Sequence, residues 1–166
     1  IYITGKIGMA FLGFIGKIEF LPNYETPKPD LALMQMLHNK YQISSSIDIS
    51  DGFIKDITSL LNASKVGAEV DANFIIDINF MQYAKEMLTF GDDYKIIFTS
   101  KENIREEGVI KIGKIIKGDQ LVMHGVDFDL KSNDQTGYTF NNFSESLYDF
   151  IFYKIVYLVS NFINQY

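Results

Sequence analysis

One short run does most to limit what this chain can fold into. Ile47-Asp48-Ile49-Ser50-Asp51-Gly52 is followed by Phe53, Ile54, Ile57, Leu60 and Leu61 at helical spacing. Ser45–Ile49 reads as a strand, and the apolar residues after Gly52 fall on one face of a helix. A strand turning directly into a helix puts two carboxylates and a hydroxyl at the mouth of the turn. Two readings fit this segment. In one, Ser50 or Asp51 caps the helix and Gly52 eases the turn. In the other, Asp48 and Asp51 converge on a cation such as Mg²⁺, while free N–H groups of the helix start face phosphate oxygens.

The remaining pattern alternates strands and helices. Ile1–Thr4 reads as a strand, and Gly5 and Gly8 lead into a short apolar helix near Met9–Ile15. Pro22, Pro27 and Pro29 mark an extended connection, and Asp30 starts a helix with Leu31, Met34, Leu37 and Tyr41 on one face. Val66–Asp71 returns as a strand. Asp77 is expected to cap a helix running through Leu88, with Phe80, Met81, Ala84 and Leu88 inward. Tyr94–Thr99 reads as a strand and Lys101–Glu107 as a short charged helix. Val109–Ile116 and Gln120–His124 read as paired strands around Lys117-Gly118-Asp119. The expected class is α/β or α+β, a layered mixed sheet with helices packed on it. The end of the chain differs: Phe140–Tyr166 holds nine aromatic and three charged residues. A long helix there, with Asn142 and Glu145 as a capping pair, must bury much of its surface.

Composition narrows the chemistry. The 166 residues suffice for one domain with a sizeable core. A net charge of −6 disfavours non-specific nucleic-acid binding, and it obliges an anionic substrate to rely on a cation or on backbone amides. With no cysteine, disulfides, thiolate catalysis and Cys-based zinc sites are excluded. The first residue is Ile1, which reads as the start of a partial polypeptide. Lys6–Gly16 is a poor signal peptide, because Lys17 and Glu19 follow it directly. No apolar run reaches the roughly 20 residues of a membrane span. His38 and His124 have no partner at metal-ligand spacing, and neither GxxxxGK[ST] nor GxGxxG after a strand is present.

A second polar cluster, Gly91-Asp92-Asp93-Tyr94, lies before the strand at Ile96–Phe98. Taken alone it reads equally as a solvated loop. The ordered set is more informative. Ile1-Tyr2-Ile3-Thr4-Gly5, Asp48-Ile49-Ser50-Asp51-Gly52, Lys55-Asp56, Ala63-Ser64-Lys65-Val66-Gly67-Ala68, Gly91-Asp92-Asp93-Tyr94, Ile112-Gly113-Lys114-Ile115 and Gly137-Tyr138 occur in one order. Over residues 1–143 this resembles the C-terminal half of thiamine-monophosphate kinase, in the superfamily that includes aminoimidazole ribonucleotide synthetase.

The resemblance implies ATP- and Mg²⁺-dependent phosphorylation of thiamine monophosphate to thiamine diphosphate. By similarity, Asp48 and Asp51 are expected as Mg²⁺ ligands and Ser50 as an ATP contact. Asp92, standing where the family has glutamate, and Tyr138 are expected at the thiamine substrate. Lys95 stands where an acid is common, and Met9 where aspartate often follows the glycine. The family's N-terminal half, with further acidic ligands and most of the ATP site, has no counterpart here. The chain is therefore expected to be catalytically incomplete: a fragment, half of a split enzyme or a decayed product. The expected partners are the two substrates, the missing half or a second subunit, and a second copy in a homodimer. The expected compartment is the cytoplasm. The competing readings are a purine-pathway synthetase of the same superfamily and a non-catalytic interaction domain that uses the aromatic segment 144–166.

Overall fold

The computed structural model describes residues 1–128. Its strands are β1 (Tyr2–Ile3), β2 (Ile43–Asp48), β3 (Gly67–Asp71), β4 (Ile96–Ser100), β5 (Ile110–Lys111), β6 (Gly113–Ile116) and β7 (Leu121–His124). Its α-helices are α1 (Met9–Phe14), α2 (Leu21–Glu25), α3 (Leu31–Lys40), α4 (Phe53–Ser64), α5 (Ala72–Ile75) and α6 (Ala84–Thr89). The strands form an antiparallel sheet in the order β2-β4-β1-β5 and a second, mixed sheet in the order β6-β3-β7. This is the α+β layering expected from the sequence.

Strand periodicity decides how the first sheet is covered. Successive side chains point to opposite faces. Ile3 and Ile97 therefore enter the main core with Phe53, Ile57 and Leu61 of α4. Their neighbours Tyr2, Ile96 and Phe98 join Met34 and Leu37 of α3 in a second cluster on the other face. The Tyr2 and Phe98 rings stack at 5.4 Å. At the described length, α4 is the helix best suited to hold the core: its buried residues Phe53, Ile54, Ile57, Leu60 and Leu61 recur at three- and four-residue spacing. Full burial of each such side chain stabilises by about 1.5–3 kcal/mol.

The expected hairpin of residues 109–116 with 120–124 is not formed. The first of these runs divides at Ile112, where β5 pairs β1 in one sheet and β6 pairs β3 in the other. The second run, β7, pairs β3 in parallel, so β3 lies between the two presumed partners. Gly67 makes this possible. It lacks the Cβ that would stand 2.7 Å from the Gln120 carbonyl, and that carbonyl accepts the Ala68 N–H at 2.9 Å.

Three further expectations are corrected. Pro22 sits in the first turn of α2, where its missing N–H costs nothing, so the proline segment is only partly extended. Lys101–Glu107 is turn and coil, because Ile104 is pulled inward and the Tyr2 hydroxyl donates to the Glu102 carbonyl at 2.8 Å. Asp77 caps a 3₁₀ turn over Ile78–Tyr83, with α6 following; Ala84 and Leu88 are buried while Phe80 and Met81 are half-buried. The expected C-terminal helix and Tyr138 lie outside the described residues. Among those residues no helix is long and apolar enough to cross a membrane.

Candidate functional site

The turn between β2 and α4 is built by a residue that sequence reasoning passed over. Asp56, in the first turn of α4, receives the N–H groups of Ser50, Asp51 and Gly52 on its Oδ2 at 3.0, 3.0 and 3.2 Å. Neither Ser50 nor Asp51 caps the helix: Gly52 is the N-cap and makes no side-chain cap bond. The capping reading of Ser50 and Asp51 therefore fails. All three amides are turned inward onto Asp56, and they precede the free N–H groups of the helix start, which follow Gly52. The signal was present in the sequence. An aspartate three residues after Phe53 and directly before Ile57 lies in the apolar stripe of the helix, where a lone charge needs donors.

Two glycines bring the second acidic segment against this turn. A Cβ on Gly91 would collide with the Ser50 carbonyl, and a Cβ on Gly52 would collide with the Thr89 carbonyl. With both absent, Asp92 N–H donates to the Ser50 carbonyl at 3.0 Å and Tyr94 N–H to the Ile49 carbonyl at 2.9 Å. Asp92 and Tyr94 both adopt left-handed backbone, with φ of 65° and 50°. Non-glycine residues pay strain for that conformation, and surrounding contacts must enforce it. Asp93 between them turns the other way. Its carboxylate accepts the N–H groups of Gly8 at 2.7 Å and Ala10 at 3.3 Å, anchoring the start of α1.

The result is a carboxylate cluster at one edge of the first sheet. Burial pushes Asp48 upward, assisted by the negative charge of Asp51. Asp92 is raised by burial and by Asp51. Burial, with Asp51 and Asp48 beside it, pushes Asp56 up to about 7 against the pull of its amide donors. The Tyr94 phenol is raised by burial and by Asp92, Asp48 and Asp51, and its hydroxyl stands 3.4 Å from Asp92 Oδ1. Among the described residues, Lys55 is the cation paired at this edge: its Nζ lies 2.6 Å from Asp51 Oδ2, half-exposed. Lys95, near in sequence, is committed instead to Asp30 at 2.9 Å, which also accepts the Thr4 hydroxyl.

Four of the five residues singled out from sequence, Asp48, Ser50, Asp51 and Asp92, are thus gathered at one edge. The fifth, Tyr138, lies outside the described residues. Among the described residues no group of three or more His, Asp or Glu side chains is close enough to hold an ion. The donor set nevertheless suits Mg²⁺, which takes one or two carboxylates and completes its shell with water and phosphate oxygens. A cleft of about 520 Å³ opens at the other end of β2, lined by Ile1, Ser45, Leu61 and Lys114, and it includes none of Asp48, Asp51, Asp56 and Asp92. His38 is exposed on α3, and His124 is exposed 3.2 Å from Glu69.

The chain was compared with known proteins. No family model matches. It is 35% identical over 135 residues to the thiamine-monophosphate kinase of Buchnera aphidicola subsp. Schizaphis graminum, covering 70% of this chain and 42% of that one. The chain is homologous to the thiamine-monophosphate kinases. The Leptospira interrogans kinase is 28% identical over 131 residues, covering 68% of this chain and 43% of its own length. The chain therefore spans about two fifths of the curated kinases it matches. The solved thiamine monophosphate kinase of Aquifex aeolicus shares the fold, with a TM-score of 0.64 at 20% identity over 77% of this chain and 50% of that one. A further solved kinase, described as complexed with AMPPCP and TMP, matches 78% of this chain and 48% of its own, with a TM-score of 0.64 at 20% identity.

Proposed function

We propose that residues 1–143 are the C-terminal domain of a thiamine-monophosphate kinase. That enzyme moves the terminal phosphoryl group of ATP onto the phosphate of thiamine monophosphate. An oxygen of the acceptor phosphate bonds to the γ-phosphorus, the bond from γ-phosphorus to the ADP oxygen breaks, and thiamine diphosphate and ADP leave. The observation that carries this reading is the approach of Gly91-Asp92 to Ser50-Asp51, which sets three incompletely neutralised carboxylates beside one turn.

Such transfer is a matter of positioning and charge. Mg²⁺, when bound, offsets the repulsion between the two phosphate-bearing substrates. Asp48 and Asp51 are the oxygen donors this chain offers it, and Ser50 lies between them as the contact to the nucleotide. Asp92, fixed in left-handed backbone, faces the thiamine substrate in the place of the family's glutamate. Asp56 touches no substrate in this reading; it holds the turn in shape through three amides. The N-terminal half, in the same polypeptide or as a second subunit, supplies the remaining acidic ligands and most of the ATP site, and the working compartment is the cytoplasm.

The test is reconstitution. The chain mixed with the N-terminal half of a related kinase is expected to form thiamine diphosphate from ATP, Mg²⁺ and thiamine monophosphate, and the chain alone is expected to form none. Asp48→Asn should lower the reconstituted rate by at least about tenfold. A well-folded mixture that yields no product, or an Asp48→Asn mixture as fast as the parent, overturns the proposal.

A further inference from the structure

The cleft of about 520 Å³ away from the acidic turn gathers lysines and hydroxyls that the phosphoryl transfer does not use. Both sheets line it, through Lys111 of β5 and Gly113 of β6, and so does the C-terminal end of α4. The buried Leu60 and Leu61 of α4 make part of its lining apolar. Ser45 and Thr99, hydrogen-bonded to each other at 2.7 Å, contribute hydroxyls, as does Ser64. Lys101, Lys111 and Lys114 also line it, and all three are exposed. Lys114 is committed to Glu69 at 2.8 Å. Lys101 and Lys111 have no ion-pair partner among the described residues, whereas Lys40, Lys55 and Lys95 each hold a carboxylate. Among the described residues the lining includes one carboxylate, Glu102, and its Oε1 accepts the Gln42 N–H. Because β1 separates β4 from β5, Lys111 and the strand that leads to Lys101 stand two strand spacings, about 10 Å, apart. Two extended lysine side chains can close that gap on one small ligand.

Unpaired lysines and hydroxyls around an apolar lining suit a compact anion with an apolar body. Ammonium and hydroxyl groups donate to phosphate oxygens, and such charge-assisted bonds are the strong ones. Leucine side chains take a carbon skeleton out of water. We infer that this cleft binds a small organic phosphate, held at the phosphate by Lys101 and Lys111 and at the carbon skeleton by Leu60 and Leu61. The chain's net charge of −6 repels anions in general, so what admits one here is local: two unpaired cations, with the neighbouring carboxylate already engaged. The negative end of α4 is closed off, since the Leu61 and Asn62 carbonyls accept the N–H groups of Val66 and Lys65. Three residues of extended strand, about 10 Å, separate Ser45 from Asp48 along β2. The inference therefore stands apart from the kinase reading, needing neither Mg²⁺ nor the acidic edge.

The experiment is calorimetry on the full 166-residue chain at low salt and about pH 8, with EDTA present. The probes are phenyl phosphate, inorganic phosphate and phenol. At that pH the Ile1 amine, lowered to about 6 by burial and by Lys111, is neutral, so the lysines supply the charge. EDTA keeps metal-bridged phosphate off the acidic edge. Phenyl phosphate is expected to bind at one site, with inorganic phosphate and phenol each at least about tenfold weaker. Lys101→Gln together with Lys111→Gln should weaken phenyl phosphate at least about tenfold. Lys28→Gln together with Lys117→Gln removes the same charge outside the cleft and should change the affinity by less than about twofold. Ser64→Phe keeps every charge and fills the cleft from the end of α4; it too should weaken binding at least about tenfold. All five substituted residues are exposed, so the variants are expected to fold. Equal losses in the two double variants would mean general attraction by surface charge, and would overturn the site. So would inorganic phosphate binding as tightly as phenyl phosphate, unaltered affinity in the Ser64→Phe chain, or no binding of phenyl phosphate at all.

Discussion

Two acidic sites in this molecule, a lone glutamate and a group of aspartates, have opposite electrostatic character. On the mixed sheet, Glu69 lies between Lys114 at 2.8 Å and His124 at 3.2 Å, in the open. Its carboxyl is held below the ordinary range, chiefly by its hydrogen bond to Lys114, with His124 assisting. At the β2–α4 turn, Asp48, Asp56 and Asp92 are all raised, by burial first and also by the negative charge of Asp51, with Asp48 adding to the effect on Asp56. The first site is satisfied by its own neighbours across β6-β3-β7. The second holds like charges together under partial burial, which costs free energy unless something positive arrives. The sign of the shift separates them.

The largest effect that tests this contrast is at Asp56. Asp56→Ala orphans three inward-facing amides and should cost about 3 kcal/mol, seen as a lower urea midpoint. Asp56→Asn keeps an acceptor and should cost less. If the alanine variant melts with the parent, the turn is not held by this side chain. Next is Gly91→Ala, which drives a Cβ into the Ser50 carbonyl; about 2 kcal/mol is expected, with loss of the Asp92 position. An unshifted midpoint would mean the two segments can separate freely.

The pH response is smaller and has a definite sign. Folded Asp56 keeps its proton up to about 7, whereas the unfolded chain releases it near 3.8. Asp93 behaves alike, raised by burial to about 6. Between these values the folded state binds more protons, so stability must fall as pH rises through the window. The Tm should drop on the order of 5 °C from pH 5 to pH 7.5, and Asp56→Asn should flatten the curve. A Tm that rises over this range refutes the raised carboxylates. Smallest of all is Glu69→Gln, for which an unchanged Tm and unchanged nucleotide binding are expected.

Much of the fold was legible because its signals are local. The stripe Phe53–Leu61 gives α4, and the unbroken apolar run Ile96–Phe98 gives a strand buried on both faces. The turn at Asp48–Gly52 was legible as a strand-to-helix junction, and its gathering with Asp92 was expected from the ordered motifs. What failed depends on distant partners. Residues 120–124 look like the second arm of a hairpin until β3 takes the intervening place, and nothing near Lys117-Gly118-Asp119 encodes that. The charged run 101–107 resembles a helix until Tyr2, a hundred residues away, claims the Glu102 carbonyl. Asp56 and Asp93 escaped notice as functional supports because their donors, the amides of Ser50 to Gly52 and of Gly8 and Ala10, become apparent only in three dimensions.

Ile112 ties the halves of the molecule together. Its N–H goes to the Ile1 carbonyl at 3.0 Å, and its carbonyl accepts from Asp71 at 3.0 Å, one bond toward each sheet. Neither layer can peel away without breaking one of that residue's two backbone hydrogen bonds. The amide of Ile112 should therefore exchange with solvent as slowly as the slowest in the chain, and melting should proceed in one step across both layers.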